Sequence, residues 1–278
     1  MFDKKITEQL NVSIPDLPVI IGETSLRHDI DDLVSTELPS MRFGIIDDVN
    51  TNPAFGDKVY NALSGRFDCI NLTLPDSVEA DDETVNYIRK KTFICDALIA
   101  VGGGTINDLC KYTSYLDNKP YIVFPTSASM NGYLSANSSI TVKGNKTTLA
   151  AQLPKAVFCD FGVIANAPIR LAKSGLGDSL ARPTAQSDWL LSHLLLNTVY
   201  DEKPFELFAD IEAELFDNAS GIARNDPSTI KTLMKLLLIS GIGMTLVGGS
   251  YPASEGEHMI AHTYNMIKKP AGKRKILH

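Results

Sequence analysis

Five apolar residues in a row, Ala97-Leu98-Ile99-Ala100-Val101, run into Gly102-Gly103-Gly104-Thr105, and the stretch 105–116 that follows reads as a helix. A continuous apolar run of this length fits a strand covered on both faces, as parallel strands are. The neighbouring pattern repeats the alternation. Residues 43–47 and 67–74 read as strands, 81–91 as a helix with apolar points at Val85 and Ile88, and 121–124 as the next strand. Strand and helix alternating in this way give a parallel α/β sheet.

Residues 138–148 have another character. Gly144-Asn145 stands between two Thr- and Val-rich runs and signals a hairpin. Residues 156–160 return to a strand, and beyond Pro168 the pattern changes to long helical segments over 178–200, 204–223, 227–246 and 253–267. The sequence therefore predicts two parts: an α/β, Rossmann-like parallel-sheet domain over 1–166, followed by an all-α domain over 167–278. No internal repeat or low-complexity linker separates them.

Bulk properties exclude some classes. A net charge of -7 argues against a nucleic-acid or anionic-membrane surface, so any anionic substrate must be held by local donors. The basic stretch 268–275 is the exception and reads as a solvated loop. Cys69, Cys95, Cys110 and Cys159 are widely spaced, with no C-x-x-C, which fits buried thiols rather than a disulfide framework or a zinc cage. The first residues lack an apolar signal core, and the most apolar window, 236–249, is short for a membrane span. A cytoplasmic protein without membrane insertion is the expectation.

Several short motifs could carry chemistry. Glycines at 102–104 let backbone N–H groups approach a phosphate at a helix N-terminus, although a tight turn explains them equally well and G-x-G-x-x-G is absent. Asp48 ends the first strand, where an acid can accept from a ribose; a turn role is the plainer alternative. The segment 125–132, Pro-Thr-Ser-Ala-Ser-Met-Asn-Gly, clusters hydroxyls after another strand, as a ligand contact or a simple turn. Asp178, just past Gly175 and Gly177, fits a metal ligand or a helix N-cap. His258 and His262 lie four apart, on one face of a helix, and the chain ends on His278. One carboxylate and two or three imidazoles suit a divalent metal with an open position. His28 and His193 stand apart and read as structural.

The order and spacing of these pieces resemble the iron-containing alcohol dehydrogenase and dehydroquinate synthase superfamily, in particular its NAD(P)-dependent sn-glycerol-1-phosphate dehydrogenases. The matching stretches are Gly102-Gly103-Gly104-Thr105, then 125–133, 144–148, Gly177-Asp178-Ser179-Leu180-Ala181-Arg182, 184–193 and Glu257-His258 through His262. The resemblance covers the chain from about residue 41 onward and implies a dehydroquinate synthase-like fold. It implies NAD or NADP held by Asp48, Gly102, Gly103, Gly104 and Thr105, with Thr126, Ser127, Ser129 and Ser135 toward the nicotinamide. It further implies a divalent metal on Asp178, His258 and His278, zinc in the first place with iron or nickel as alternatives. His262 would face substrate and relay a proton. The implied reaction interconverts glycerone phosphate and sn-glycerol 1-phosphate in an assembly of two or more copies; another polyol dehydrogenase or a dehydroquinate synthase-like lyase are the alternatives.

Two departures bear on these expectations. Asn131 stands where such dehydrogenases usually carry an aspartate that contacts the polyol, keeping an acceptor oxygen without the charge. Relatives continue for several helices past the third ligand position, so an incomplete helical half with exposed apolar surface and weak metal binding is expected.

Overall fold

The computed structural model describes residues 20–23, 30–39 and 42–267. In chain order its strands are β1 (Ile20–Glu23), β2 (Arg42–Asp48), β3 (Asp68–Leu74), β4 (Ala97–Gly102), β5 (Tyr121–Pro125), β6 (Asn137–Val142), β7 (Asn145–Ala150) and β8 (Ala156–Cys159). Six of them form one sheet in the order β1-β8-β5-β4-β2-β3, every pair parallel, while β6 and β7 form a separate antiparallel hairpin. Helices α1 (Ile30–Glu37), α2 (Asp57–Ser64), α3 (Asp82–Lys91), α4 (Gly104–Leu116) and α5 (Phe161–Ala165) accompany the sheet. The chain steps outward from β2 to β3, then returns to place β4 on the other side of β2. Strand order reverses there, and the carboxyl ends of β2 and β4 flank the resulting crevice, where open α/β sheets bind ligands.

Burial explains why these segments are strands. Every residue of β4 and β5 is buried, as expected of central strands covered on both faces. Phe43, Ile45, Ile99, Val101, Ile122, Phe124 and Phe158 form one core with Val59 and Leu63 of α2. Each such side chain contributes about 1.5–3 kcal/mol by leaving water. Phe55 meets Phe124 edge to face at 5.7 Å, an arrangement favoured by the ring quadrupole. Asp81 caps α3 by accepting the Thr84 N–H at 2.8 Å, and Asp160 caps α5 through Val163 at 3.0 Å. Lys111 of α4 is fully buried and donates from Nζ to the Asn137 carbonyl at 3.0 Å, tying α4 to the start of the hairpin. Burial pushes its pKa down to about 8 against the pull of Asp108.

The hairpin turns one residue earlier than its Gly-Asn signal. Val142 pairs with Asn145, so Lys143 and Gly144 form the two-residue loop, with φ of 50° and 81°. A type I′ turn needs positive φ at both positions, and Gly144 supplies the second without strain while Asn145 begins β7.

The remaining helices are α6 (Ile169–Leu196), α7 (Lys203–Asp217), α8 (Ser220–Ala223), α9 (Pro227–Val247) and α10 (Gly256–Ile267). Contacts divide the described chain into two compact units. One runs to Ser127 and includes Asn137–Ala167; the other joins Ala128–Ala136 to the helices from Pro168 onward. A single break between 166 and 167 therefore does not describe the chain, because residues 128–136 pack with the helices. Glycines make room for them: a Cβ on Gly175 of α6 would stand 2.2 Å from the Ala128 carbonyl oxygen.

Two further helix expectations are corrected. The predicted helix over 204–223 is interrupted, with α7 ending at Asp217 and α8 starting at Ser220. Asp178 is no N-cap: α6 begins at Ile169, nine residues before it. The most apolar window extends to the full α9, which among the described residues is long and apolar enough to cross a membrane, yet two thirds of that window is buried inside the protein. Asp226 caps α9 through the Thr229 N–H and hydroxyl at 2.8 and 2.7 Å, and Gly248 ends it in the left-handed region. Apolar side chains remain exposed on α6 (Leu191, Leu194, Leu195, Leu196) and on α10 (Met259, Ile260, Ile267).

Candidate active site

In the sheet unit the candidate residues gather at the carboxyl edge. Gly102 ends β4, Gly103 precedes α4 as its cap residue, and no side chain caps that helix. The first N–H groups of α4, from Gly104 and Thr105, thus lack an intrahelical partner, the arrangement that attracts phosphate. A Cβ on Gly102 would stand 2.6 Å from Ile106 Cβ, so the turn packs onto its own helix too closely for a larger residue. On the neighbouring strand Gly102 pairs with Pro125, and the Thr126 N–H donates to the Gly102 carbonyl at 3.2 Å. This bond draws Thr126 and Ser127, both buried, to the glycine turn.

Asp48 ends β2, the strand beside β4. Its Oδ1 accepts the N–H groups of Asn50 and Thr51, each at 2.8 Å, so this oxygen serves the turn. Asp47 is fully buried next to it and accepts from Asn52 Nδ2 at 2.9 Å. Burial raises its pKa, opposed by the hydrogen bond from Asn52. A Cβ on Gly56 would fall 2.1 Å from its Oδ2. β2 is buried without a break from Phe43 through Asp47, so covering of both faces of the strand takes Asp47 with it.

Ser129 and Ser135 belong to the segment Ala128–Ala136 and so to the helical unit. Ser135 is buried and donates from Oγ to the Gly132 carbonyl at 3.2 Å, while Ser129 is half-buried.

Within the helical unit Asp178 of α6 and His258 of α10 come together although 80 residues separate them. Asp178 Oδ1 stands 3.4 Å from His258 Nε2, and its Oδ2 accepts the main-chain N–H of Asn131 at 2.9 Å. His258 Nδ1 lies 2.7 Å from Glu257 Oε1. An ionised carboxylate only accepts, so in this contact the His258 ring donates from Nδ1 to Glu257, leaving Nε2 on the side of Asp178. Burial opposes charge on His258, but the Asp178 and Glu257 carboxylates outweigh it and raise the imidazole pKa. Glu257 is likewise penalised by burial, yet the Glu255 N–H and His258 hold its pKa below the usual value. Glu257 is the residue that sequence reasoning left without a role; its place directly before His258 was the available signal.

This arrangement suits a divalent cation. Two donors each about 2.1 Å from a tetrahedral ion stand about 3.4 Å apart, the separation between Asp178 Oδ1 and His258 Nε2. A carboxylate behind the ligating imidazole is the usual outer partner of such a site. Among the described residues no group of three His, Cys, Asp or Glu side chains is placed to hold a metal ion. The third predicted ligand, His278, lies outside the described residues, as do His28 and the basic stretch 268–275. His262 stands one turn beyond His258, with ring centroids 6.3 Å apart, and is half-buried. His193 Nδ1 lies 2.6 Å from the Thr198 carbonyl just past the end of α6.

The chain is similar to known proteins in sequence and fold. The family model for iron-containing alcohol dehydrogenases matches residues 21–168. A glycerol-1-phosphate dehydrogenase (NAD(P)+) of Geobacillus thermodenitrificans is 35% identical over 204 residues, 73% of this chain and 50% of that protein. The protein of that name from Thermococcus sibiricus is 32% identical over 255 residues, 90% of this chain and 72% of its own length. Among solved structures, glycerol dehydrogenase from Schizosaccharomyces pombe superposes with a TM-score of 0.70 at 22% identity, covering 89% of this chain and 64% of that one. The chain thus spans about half the length of the first of these curated relatives. A parallel sheet followed by helices is consistent with the dehydroquinate synthase-like fold. With the family model matching more than half of its residues, the chain belongs to the iron-containing alcohol dehydrogenase family.

Proposed function

We propose that this chain carries the site of a metal-dependent, NAD(P)-linked dehydrogenase that interconverts glycerone phosphate and sn-glycerol 1-phosphate. The observation that carries the reading is the Asp178–His258 pair, spaced for one cation and backed by Glu257. The names of the curated relatives support the substrate class. Asp178 and His258 would hold the cation with His278 as third ligand, zinc in the first place. Gly102, Gly103, Gly104 and Thr105 would receive the cofactor pyrophosphate, Asp48 the ribose, and Thr126, Ser127, Ser129 and Ser135 the nicotinamide side. When bound, the cation polarises the substrate hydroxyl and the nicotinamide exchanges the hydride.

The chain's own groups do the remainder. Asp178 brings negative charge to the site, while Glu257 fixes the His258 tautomer so that Nε2 faces inward. His262, one turn along α10, is placed to exchange the hydroxyl proton with solvent. Asn131 would contact the polyol as a neutral acceptor. An assembly of two or more copies in the cytoplasm completes the reading.

NADH and NADPH oxidation with dihydroxyacetone phosphate, set beside dihydroxyacetone, tests the proposal. We expect turnover with the phosphate ester and its loss on chelation. No turnover with either ketone, in the presence of added zinc, would sink the dehydrogenase reading; preference for the unphosphorylated ketone would move it to a polyol dehydrogenase.

A further inference from the structure

Asp178 has two carboxylate oxygens with different surroundings. Oδ2 accepts the Asn131 N–H at 2.9 Å, whereas Oδ1 faces His258 Nε2. The donor on Oδ2 is main chain, so what fixes it is the path of residues 128–136 and not the Asn131 side chain. That path is held at three points by side chains, or their absence, on two helices. On α6, Gly175 admits the Ala128 carbonyl, which a Cβ would meet at 2.2 Å. On α9, a Cβ at Gly241 would stand 2.6 Å from the Asn131 carbonyl oxygen and 3.1 Å from the Leu134 backbone. One turn further on, Thr245 Oγ1 donates to the Leu134 carbonyl at 2.9 Å. Gly241 lies inside a buried helix, where glycine is otherwise disfavoured relative to alanine, so its close contact with the Asn131 peptide accounts for its presence.

We infer that Gly241, Thr245 and Gly175 are positioning residues for the metal-binding carboxylate. They seat the segment Ala128–Ala136 so that the Asn131 N–H holds one oxygen of Asp178 and leaves the other for the cation. This rests on the metal site of the proposed function and is independent of which ketone or nicotinamide cofactor is used. The Asn131 position then has two separable parts: its side chain addresses substrate, and its peptide orients the ligand.

Cobalt titration of the full chain, read by the d–d absorption of the bound ion, separates these parts. Gly241→Ala, folded by far-UV circular dichroism, is expected to bind cobalt roughly 10–100-fold more weakly, the usual effect of losing an outer partner of a metal ligand, with an altered d–d band. Thr245→Val shifts affinity the same way by less. Asn131→Ala keeps its main-chain N–H and retains near wild-type cobalt affinity, as does Gly243→Ala on the same helix. A folded Gly241→Ala protein that binds as wild type overturns the inference while leaving the metal site standing. Equal losses in Asn131→Ala and Gly241→Ala also overturn it, since the side chain would then be the cause. Should Gly241→Ala not fold, Thr245→Val decides, and unchanged affinity and spectrum in that variant refute the seat. Absence of cobalt binding by the wild-type chain overturns both the inference and the proposed metal site.

Discussion

The glycine turn of the sheet unit and the Asp178–His258 pair of the helical unit are built in opposite ways. The turn is made of backbone: three consecutive glycines, the free end of α4, and one N–H from the next strand. The pair is made of side chains from helices far apart in sequence, each held by a further group, Asn131 for the carboxylate and Glu257 for the imidazole. A backbone site depends on absence of bulk and on helix register, both written locally. A side-chain site depends on where distant helices come to rest. Their sensitivities to substitution should differ accordingly.

The largest expected effect is that of Asp178→Ala, which removes the carboxylate of the pair. Metal binding falls below detection by titration while NADH binding, followed by its fluorescence, stays near wild type. Equal loss of both would break the comparison by showing that the two regions do not act separately.

Next is the buried ammonium of Lys111 in the middle of α4. Burial lowers the Lys111 pKa to about 8 in the folded chain, against about 10.4 unfolded. Between those values the unfolded chain holds more protons, so stability rises with pH; below pH 8 the full cost of burying the charge is present. Relative to Lys111→Met, the wild-type protein should gain up to about 3 kcal/mol between pH 8 and 10.4. Denaturant unfolding of both at each pH measures this, and parallel pH dependences would remove the buried charge from the account.

Glu257→Ala tests the support of the imidazole. We expect metal affinity to fall roughly 10–100-fold with NADH affinity intact, by the same two titrations; unchanged metal affinity would mean that His258 needs no carboxylate behind it. The smallest effect belongs to Gly102→Val. Its side chain would press on Ile106, and overpacking of this kind costs about 1–3 kcal/mol. Weaker NADH binding, by roughly tenfold, with unaltered metal binding is the expected outcome. Weaker metal binding with intact NADH binding would reverse the assignment of the two regions.

Much of the sheet unit was legible because its signals are local. The apolar run at 97–101 reports burial on both faces, and the glycines after it report a turn that α4 follows. The hairpin was legible to within one residue; its turn shifted because Lys143 accepts the positive φ that the Gly-Asn signal assigned elsewhere. Less was legible in the helical unit. Asp178 looked like a cap because two glycines precede it, but burial of Ala172 and Gly175 draws α6 back to Ile169 through them. The membership of residues 128–136 was also hidden, since nothing in that stretch announces the distant glycines, Gly175 and Gly241, that receive it.

The sequence by itself determined the parallel sheet, the glycine turn and the identity of the ligand candidates, because strand burial, turn chemistry and donor type depend on a few neighbouring residues. Tertiary structure alone decided that Asp47 lies buried while Asp48 shapes a turn, that the Asn131 peptide reaches Asp178, and that Glu257 stands behind His258. Those facts follow from packing between segments distant in the chain, where a single Cβ added at Gly175 or Gly241 would stand 2.2 or 2.6 Å from a carbonyl oxygen.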